Sequence, residues 1–299
     1  MKSYGDYLAG IFPGIKVQKI SVDAGFTCPN RDGSISTGGC IYCRNDSFSP
    51  HYCSPDDSVK IQLEKGKKFF SRKYPDMKYL AYFQSYTGTY KKDLSVLRDL
   101  YESALSVKDV VGIVIATRPD CVSVEILDLL SLFHNEKKIF IELGAETSHD
   151  ETLLLINRNH TWSDVEIATE LISQYGFHCG LHLIAGLPGE NHKMILETID
   201  RTIKLPIETI KLHQLQVLKD TILHQKLEKG EIEIPIFSLE EYLNLCAEIY
   251  RKIPKNIIIE RFLSQSPAEM VVYPSWGLKN YEFMTKLAKL IKNNTKELN

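Results

Sequence analysis

The chain has 299 residues, with 36 Lys and Arg against 38 Asp and Glu for a net charge of −2, and is 43% hydrophobic and 25% charged. That balance excludes a disordered or fibrous chain, and the near-neutral charge excludes a protein that advertises nucleic-acid binding over its whole surface. No stretch approaches the roughly eighteen uninterrupted apolar residues of a membrane span, and Met1 to Gly10 lacks an apolar leader core, so a cytoplasmic chain with no membrane partner is expected.

Short β-rich runs alternate with longer amphipathic stretches along the chain. Strands are predicted over 19–23, 79–84, 111–116, 139–144, 179–185 and 208–215. Helices are predicted over 59–71, 94–105, 124–133, 164–174 and 193–203, from apolar residues at three- and four-residue spacing. The alternation implies a parallel sheet covered on both faces, which suits runs without polar alternation such as Gly112-Ile-Val-Ile-Ala116. Closed and open sheets read alike from pattern, and in either one functional groups gather beyond the carboxyl ends of the strands. A helix over 238–251, a strand over 256–262 and a closing helix over 281–293 follow. Pro235, Pro254, Pro267 and Pro274 punctuate this last part, so a core over 1–230 and a C-terminal accessory region over 231–299, packed on that core, are expected.

The segment 60–73 carries Lys60, Lys65, Lys67, Lys68, Arg72 and Lys73 against the single acid Glu64. A solvated helix face explains it somewhat better than a phosphate-binding surface does. Seven cysteines in a chain this long do not form the framework of a small secreted protein, so a cluster of them points to metal ligation or catalysis. Cys28, Cys40 and Cys43 form such a cluster, on a glycine-rich loop directly after the first strand. The two-residue spacing of Cys40 and Cys43 turns both thiolates toward one centre, while Gly33, Gly38 and Gly39 let Cys28 fold back. Three ligands would leave one iron of a cluster open. A zinc knot completed by Cys53 or His51 satisfies the same spacing, since structural zinc takes four ligands. Cys121, Cys179 and Cys246 are scattered and read as small buried hydrophobes.

The other strand ends carry Gln84-Ser-Tyr-Thr-Gly-Thr-Tyr90, Thr117-Arg-Pro-Asp120, Glu142-Leu-Gly-Ala-Glu-Thr147, then Asn157-Arg-Asn-His-Thr161, Leu183-Ile-Ala-Gly-Leu-Pro-Gly-Glu190 and Lys211-Leu-His-Gln-Leu-Gln-Val-Leu-Lys219. With the cysteine loop, and in this order, they resemble the radical S-adenosylmethionine (SAM) superfamily over nearly the whole chain. Within it the likeness is to the YhcC/YtqA type, related to the catalytic subunit of Elongator. Most of the superfamily separates its first two cysteines by three residues; here eleven intervene.

The resemblance implies an α/β fold, a partial barrel of six βα units, with Cys28, Cys40 and Cys43 holding a [4Fe-4S] cluster whose open iron chelates SAM. It places Gln84 at the SAM amino group, Arg158 at its carboxylate, Glu146 at the ribose hydroxyls, and Ile184 and Gly186 beside adenine. Glu190 reads as a helix N-terminal acid and Arg118 as a loop brace. His213 and Gln214 are expected to point one into and one out of the sheet. Reductive cleavage of SAM needs an external electron donor such as flavodoxin or ferredoxin. The expected substrate, again by resemblance, is tRNA, with the carboxymethyl group removed from 5-carboxymethylaminomethyl-uridine at the wobble position. A small metabolite or a peptide is the alternative substrate, and a non-catalytic, zinc-bearing RNA-binding protein is the alternative class.

Overall fold

The computed structural model describes residues 2–71, 76–90 and 92–296. Its strands are β1 (Val17–Val22), β2 (Lys78–Phe83), β3 (Val110–Thr117), β4 (Lys138–Glu146), β5 (His178–Ala185), β6 (Thr209–Gln214), β7 (Val217–Leu218), β8 (Ile258–Arg261) and β9 (Val271–Tyr273). Its helices are α1 (Tyr4–Ile11), α2 (Val59–Ser71), α3 (Leu94–Leu105), α4 (Val124–His134), α5 (Asp150–Leu155), α6 (Trp162–Gln174), α7 (His192–Thr202), α8 (Ile222–Glu228), α9 (Leu239–Lys252) and α10 (Asn280–Lys296). The six strands and five helices predicted between residues 19 and 215 all form, as do the later helix, strand and closing helix.

Strands β1 to β6 and then β8 lie side by side in chain order, every pair parallel, in one seven-stranded sheet; β7 and β9 form a separate antiparallel pair. A parallel neighbour is reached only by a crossover, and helices α2, α3, α4, α6 and α7 supply one between each successive pair from β1 to β6. The sheet curls into a half-barrel until its two edges meet through side chains: Lys19 Nζ on β1 is 2.9 Å from Glu260 Oε2 on β8.

Alternation along each strand sorts residues between two cores. Ile20, Ala81, Phe83, Ile113, Ile115, Ile139 and Ile141 point outward into the main core beneath the helices, with Leu63, Leu97, Leu127 and Val165. Their neighbours Leu80, Tyr82, Val114 and Phe140 point inward and pack on Leu8 and Phe12 of α1, which plugs the amino-terminal end of the barrel. Helix α1 starts on a reciprocal cap between Ser3 and Asp6. With that end closed, the interior opens only toward the carboxyl ends of the strands.

Candidate active site

The interior holds a cavity of about 260 Å³ whose lining includes Cys28, Cys40, Cys43, Gln84, Arg118, Glu146, Arg158 and Ile184. Its rim is the cysteine loop. The Cys28 carbonyl accepts from the amides of Arg31 (2.8 Å) and Asp32 (3.2 Å), Asp32 and Thr37 form an isolated antiparallel bridge, and the Gly39 amide donates to the Asn30 carbonyl at 2.8 Å. The eleven intervening residues are therefore a small hairpin that leaves and returns, so the wide spacing still brings Cys40 back to the Cys28 end. Gly33, Gly38 and Gly39 make the return with φ of +87°, +81° and +81°. Cys43 then turns back by donating its amide to the Cys40 carbonyl at 2.9 Å.

A second loop is stitched to this one. Asn30 Nδ2 donates to the carbonyls of Asn157 (2.5 Å) and Arg158 (2.9 Å) and lies 3.6 Å from Cys40 Sγ, while Asn157 Nδ2 donates to the Gly39 carbonyl at 2.8 Å. Asn157 and Asn159 hold φ of +56° and +58°, the left-handed region that asparagine tolerates better than most residues, which accounts for two members of the Asn-Arg-Asn-His-Thr stretch. The loop delivers Arg158 to the cavity. Its Nη2 donates to the Gly144 carbonyl at 2.6 Å and lies 3.5 Å from Glu146 Oε1, and its Nη1 is 3.9 Å from Cys40 Sγ. Burial works against that charge, yet Cys40 and Glu146 outweigh it and hold the guanidinium above its ordinary range. Burial raises the Glu146 carboxyl, against Arg158. Glu146 also has φ of +65°, at an irregularity in the β4–β5 register, a strained position of the kind found where a strand end aims a side chain at a site.

Below the rim lies a charged floor. Lys19 Nζ contacts Glu142 Oε1 (2.5 Å) and Glu260 Oε2 (2.9 Å), and Lys211 Nζ contacts Glu142 Oε2 (2.8 Å) and Glu260 Oε1 (3.3 Å). Tyr82 donates to Glu142 Oε2 at 2.6 Å, and His182 Nε2 is 2.8 Å from the same oxygen. Burial opposes ionisation of Glu142, but Lys19, Lys211 and His182 hold its carboxyl well below the usual range. Burial and Lys211 push His182 down to about 4, so its ring is neutral at pH 7. Two lysines against two glutamates is a balanced, mutually satisfied network, the condition under which buried charge rigidifies a site rather than destabilising it.

The remaining expected residues divide. Gln84 Oε1 already accepts from Ser21 Oγ at 3.0 Å. Gly186, at φ of +95°, does not line this cavity; it faces Phe237 and Leu215 beside a separate small cleft. Arg118 is clamped by Asp120 at 2.8 and 2.7 Å, and Glu190 accepts from Thr147 Oγ1 at 2.5 Å. His213 and Gln214 both line the cavity, because β6 ends at Gln214 and the chain leaves the pleat there. Sequence reasoning missed the floor. Its local signals are charged residues between apolar neighbours in a strand, Glu142 within Ile139-Phe-Ile-Glu-Leu143 and Lys211 within Ile210-Lys-Leu212.

The donor set suits an iron–sulfur group. Three soft thiols sit on one loop with the Asn30 amide and the Arg158 guanidinium beside Cys40 Sγ, and the buried Arg158 Nε and Asn30 Oδ1 have no partner. Among the described residues no group of three or more His, Cys, Asp and Glu is drawn together as for a single metal ion. Cys53 stands apart, its thiol donating to the Ser21 carbonyl at 2.9 Å, and His51 packs edge-on against Tyr52 and Phe69. Burial and Cys40 push the Cys43 thiol up to about 12 in the absence of metal, whereas a bound metal deprotonates a coordinating thiol outright.

The radical SAM superfamily model matches residues 31–202, and that of the radical SAM C-terminal domain matches 207–293. The chain is 35% identical to YtqA of Bacillus subtilis (strain 168) over 280 residues, covering 94% of this chain and 86% of YtqA. It is 31% identical over 174 residues to a tRNA uridine(34) acetyltransferase of Dehalococcoides mccartyi, covering 57% of this chain and 36% of that protein. The solved structure of archaeal Elp3 from Methanocaldococcus infernus superposes with a TM-score of 0.68 at 19% identity, over 94% of this chain and 64% of that one, a likeness of fold. A curled parallel half-barrel, a cysteine loop at its open end and a family match across that same stretch converge: this chain belongs to the radical SAM superfamily, in the YhcC/YtqA type, whose chemistry runs on a [4Fe-4S] cluster and SAM.

Proposed function

We propose that Cys28, Cys40 and Cys43 hold the cluster, that Arg158 and Glu146 position SAM at the cavity rim, and that the substrate is the wobble uridine of a tRNA, 5-carboxymethylaminomethyl-uridine, trimmed to its aminomethyl form. The observation that carries the site assignment is the convergence of the three cysteines and Arg158 on one cavity, across the loop stitched by Asn30. Bound there, the cluster and SAM supply a one-electron reductive cleavage whose radical product removes a hydrogen atom from an unactivated carbon. The chain's own part is to orient and to exclude water. The α1 plug closes one end, and the floor network offers fixed ion pairs rather than titrating groups to the reacting carbon.

The tRNA reading is supported by the similarity over 57% of this chain to a tRNA uridine(34) acetyltransferase. Its chemistry is coherent: removing hydrogen from the methylene between nitrogen and carboxylate gives a radical stabilised by both. Passing one further electron to a one-electron carrier of the flavodoxin or ferredoxin class and losing the N–H proton gives an imine; water adds across its C=N bond, leaving the amine on the uridine and releasing glyoxylate. An anticodon loop presents its bases largely unpaired, so extrusion of one into the cavity costs less than from a duplex. Helix α2 is a weaker phosphate surface than its composition suggests, because Lys65 pairs with Asp57 (2.5 Å) and Lys67 with Glu64 (3.4 Å) and Asp109 (3.8 Å); Arg72 and Lys73 lie outside the described residues. A small carrier of the flavodoxin or ferredoxin class is the proposed reductant. The test is nucleoside analysis of tRNA from a deletion strain, in which the aminomethyl form falls and its carboxymethyl precursor accumulates. An unaltered profile removes tRNA as the substrate.

A further inference from the structure

Each cation of the floor has an acid: Lys19 and Lys211 share Glu142 and Glu260. On the rim Arg118 has Asp120, Arg158 has Glu146, and Arg44 has Asp46 and Asp220. Arg31, in the same lining, has no carboxylate of the described residues in salt-bridge range, but it lies over the Tyr86 ring, 5.5 Å from its centroid. Arg261 breaks the pattern further. It is the last residue of β8, lines the same cavity, has no carboxylate of the described residues in salt-bridge range, and its Nε is buried without a hydrogen-bond partner. The backbone puts it there deliberately. The β6–β8 register slips between Ile210 and Lys211, so that Lys211 pairs with Arg261 and Glu260 becomes the extra residue. Such an irregularity lets two successive side chains serve one face: Glu260 reaches the floor lysines while Arg261 lines the cavity.

The surroundings of Arg261 do not neutralise it. His213 shares the wall, Ser264 Oγ lies 3.2 Å from His213 Nδ1 and donates to the Gln214 carbonyl at 2.9 Å, and Ser264 is further fixed by its amide donating to Gln214 Oε1 at 2.5 Å. Burial and the Arg261 charge hold His213 well below its ordinary range, so the wall offers one permanent cation among neutral donors. A half-buried guanidinium left without an acid, with its Nε cut off from solvent, gains from an anion that enters the open mouth to meet it. Arg158 is already engaged beside Cys40 on the rim, so Arg261 constitutes a second anionic subsite.

We propose that Arg261 is the specificity-determining residue for a carboxylate carried by the substrate, which its planar fork grips from the β8 wall. Resting on the tRNA reading above, that carboxylate is the terminus of the carboxymethylaminomethyl group, and discrimination between precursor and product resides in this one contact.

The test uses cluster-loaded, SAM-bound full-length protein and two anticodon hairpins, one with 5-carboxymethylaminomethyl-uridine and one with the uncharged-terminus analogue 5-methylaminomethyl-uridine at the wobble position. Wild type should bind the acid hairpin about 10- to 100-fold more tightly, the range for a charged hydrogen-bond partner. Arg261→Gln should abolish that preference without changing SAM affinity, and Arg261→Lys, which keeps the charge without the fork, should restore part of it. A preference that survives in Arg261→Gln overturns the assignment, as does a loss of SAM affinity with the preference intact. If wild type binds neither hairpin, the tRNA reading falls, and N-methylglycine labelled with ¹³C at its carboxylate decides the subsite separately. Line broadening by wild type but not by Arg261→Gln sustains it, and equal broadening by both overturns it.

Discussion

At the scale of single residues, the site depends on close approaches that a methyl group would destroy. A Cβ built on Gly144 would lie 2.6 Å from Arg158 Nη2 and 2.8 Å from Glu146 Oε1, so Gly144→Ala should displace the guanidinium without removing any charge. If Arg158 holds SAM, both Gly144→Ala and Arg158→Ala should keep iron and weaken SAM binding by about 1.5–3 kcal/mol, read by equilibrium dialysis. Unchanged affinity in both would place Arg158 outside the SAM subsite. The cysteines give a second residue-level expectation. Anaerobically reconstituted Cys28→Ala, Cys40→Ala and Cys43→Ala should lose iron and the brown absorbance, and Cys53→Ala should retain both; parallel loss in Cys53→Ala would bring back the four-ligand zinc reading. The rim was legible in sequence because cysteine spacing and odd residue types at strand ends are local signals. The floor was not, because Lys19 and Glu142 are 123 residues apart, Lys211 and Glu142 are 69 apart, and no periodicity relates them.

At the scale of elements, the sheet was readable for the reason that it is buried on both faces: strands β2 and β3 are near-continuous apolar runs bounded by polar loops, and β4 and β5 depart from that only at a few polar positions. What escaped is short. Helix α1 has eight residues, α5 six and α8 seven, while β7 and β9 have two and three, too few for a period to declare itself. The strands also contain a packing constraint that composition hides. A Cβ on Gly112 of β3 would meet the Lys138 carbonyl of β4 at 2.2 Å, and backbone has nowhere to retreat. Gly112→Ala should therefore cost about 1–3 kcal/mol, the range for an overpacked core, seen as a lower denaturant midpoint; an unchanged midpoint would mean that β3 and β4 can spread to admit a methyl group.

At the scale of the molecule, the buried polar interior makes stability depend on pH in a stated direction. His182 is neutral in the folded state down to about 4 but ordinarily titrates near 6.5, so between those values the unfolded chain binds more protons and stability falls as the pH is lowered. His160, which burial and Arg158 push down to about 2, acts in the same sense over a wider window. Glu142, held well below its ordinary range, adds a further loss below about pH 4.5 as it is forced to protonate. Denaturant midpoints of cluster-free protein should drop from pH 7 to pH 4.5, with a shallower slope in His182→Gln; parallel slopes would show that the floor does not hold the ring neutral. No helix among the described residues is long and apolar enough to cross a membrane.

The junction at which the curled sheet meets itself also orders events in time. Every strand from β2 to β6 pairs with the one made just before it, so most of the sheet can assemble while the chain is still emerging. The junction cannot. Tyr7 donates to Glu208 and lies 3.3 Å from His178, and Lys19 meets Glu260, partners 201, 171 and 241 residues distant. Helix α1 can seat on β2 to β4 and find His178 and Glu208 earlier, but Lys19 at the edge of β1 must wait until β8 is complete and finds Glu260 last. Ribosome-stalled chains ending near residue 230 should accordingly show protected amides in β2 to β5, and the pair Lys19→Cys and Glu260→Cys should crosslink only after release of the full chain; a barrel edge already protected in the stalled chain would refute this order.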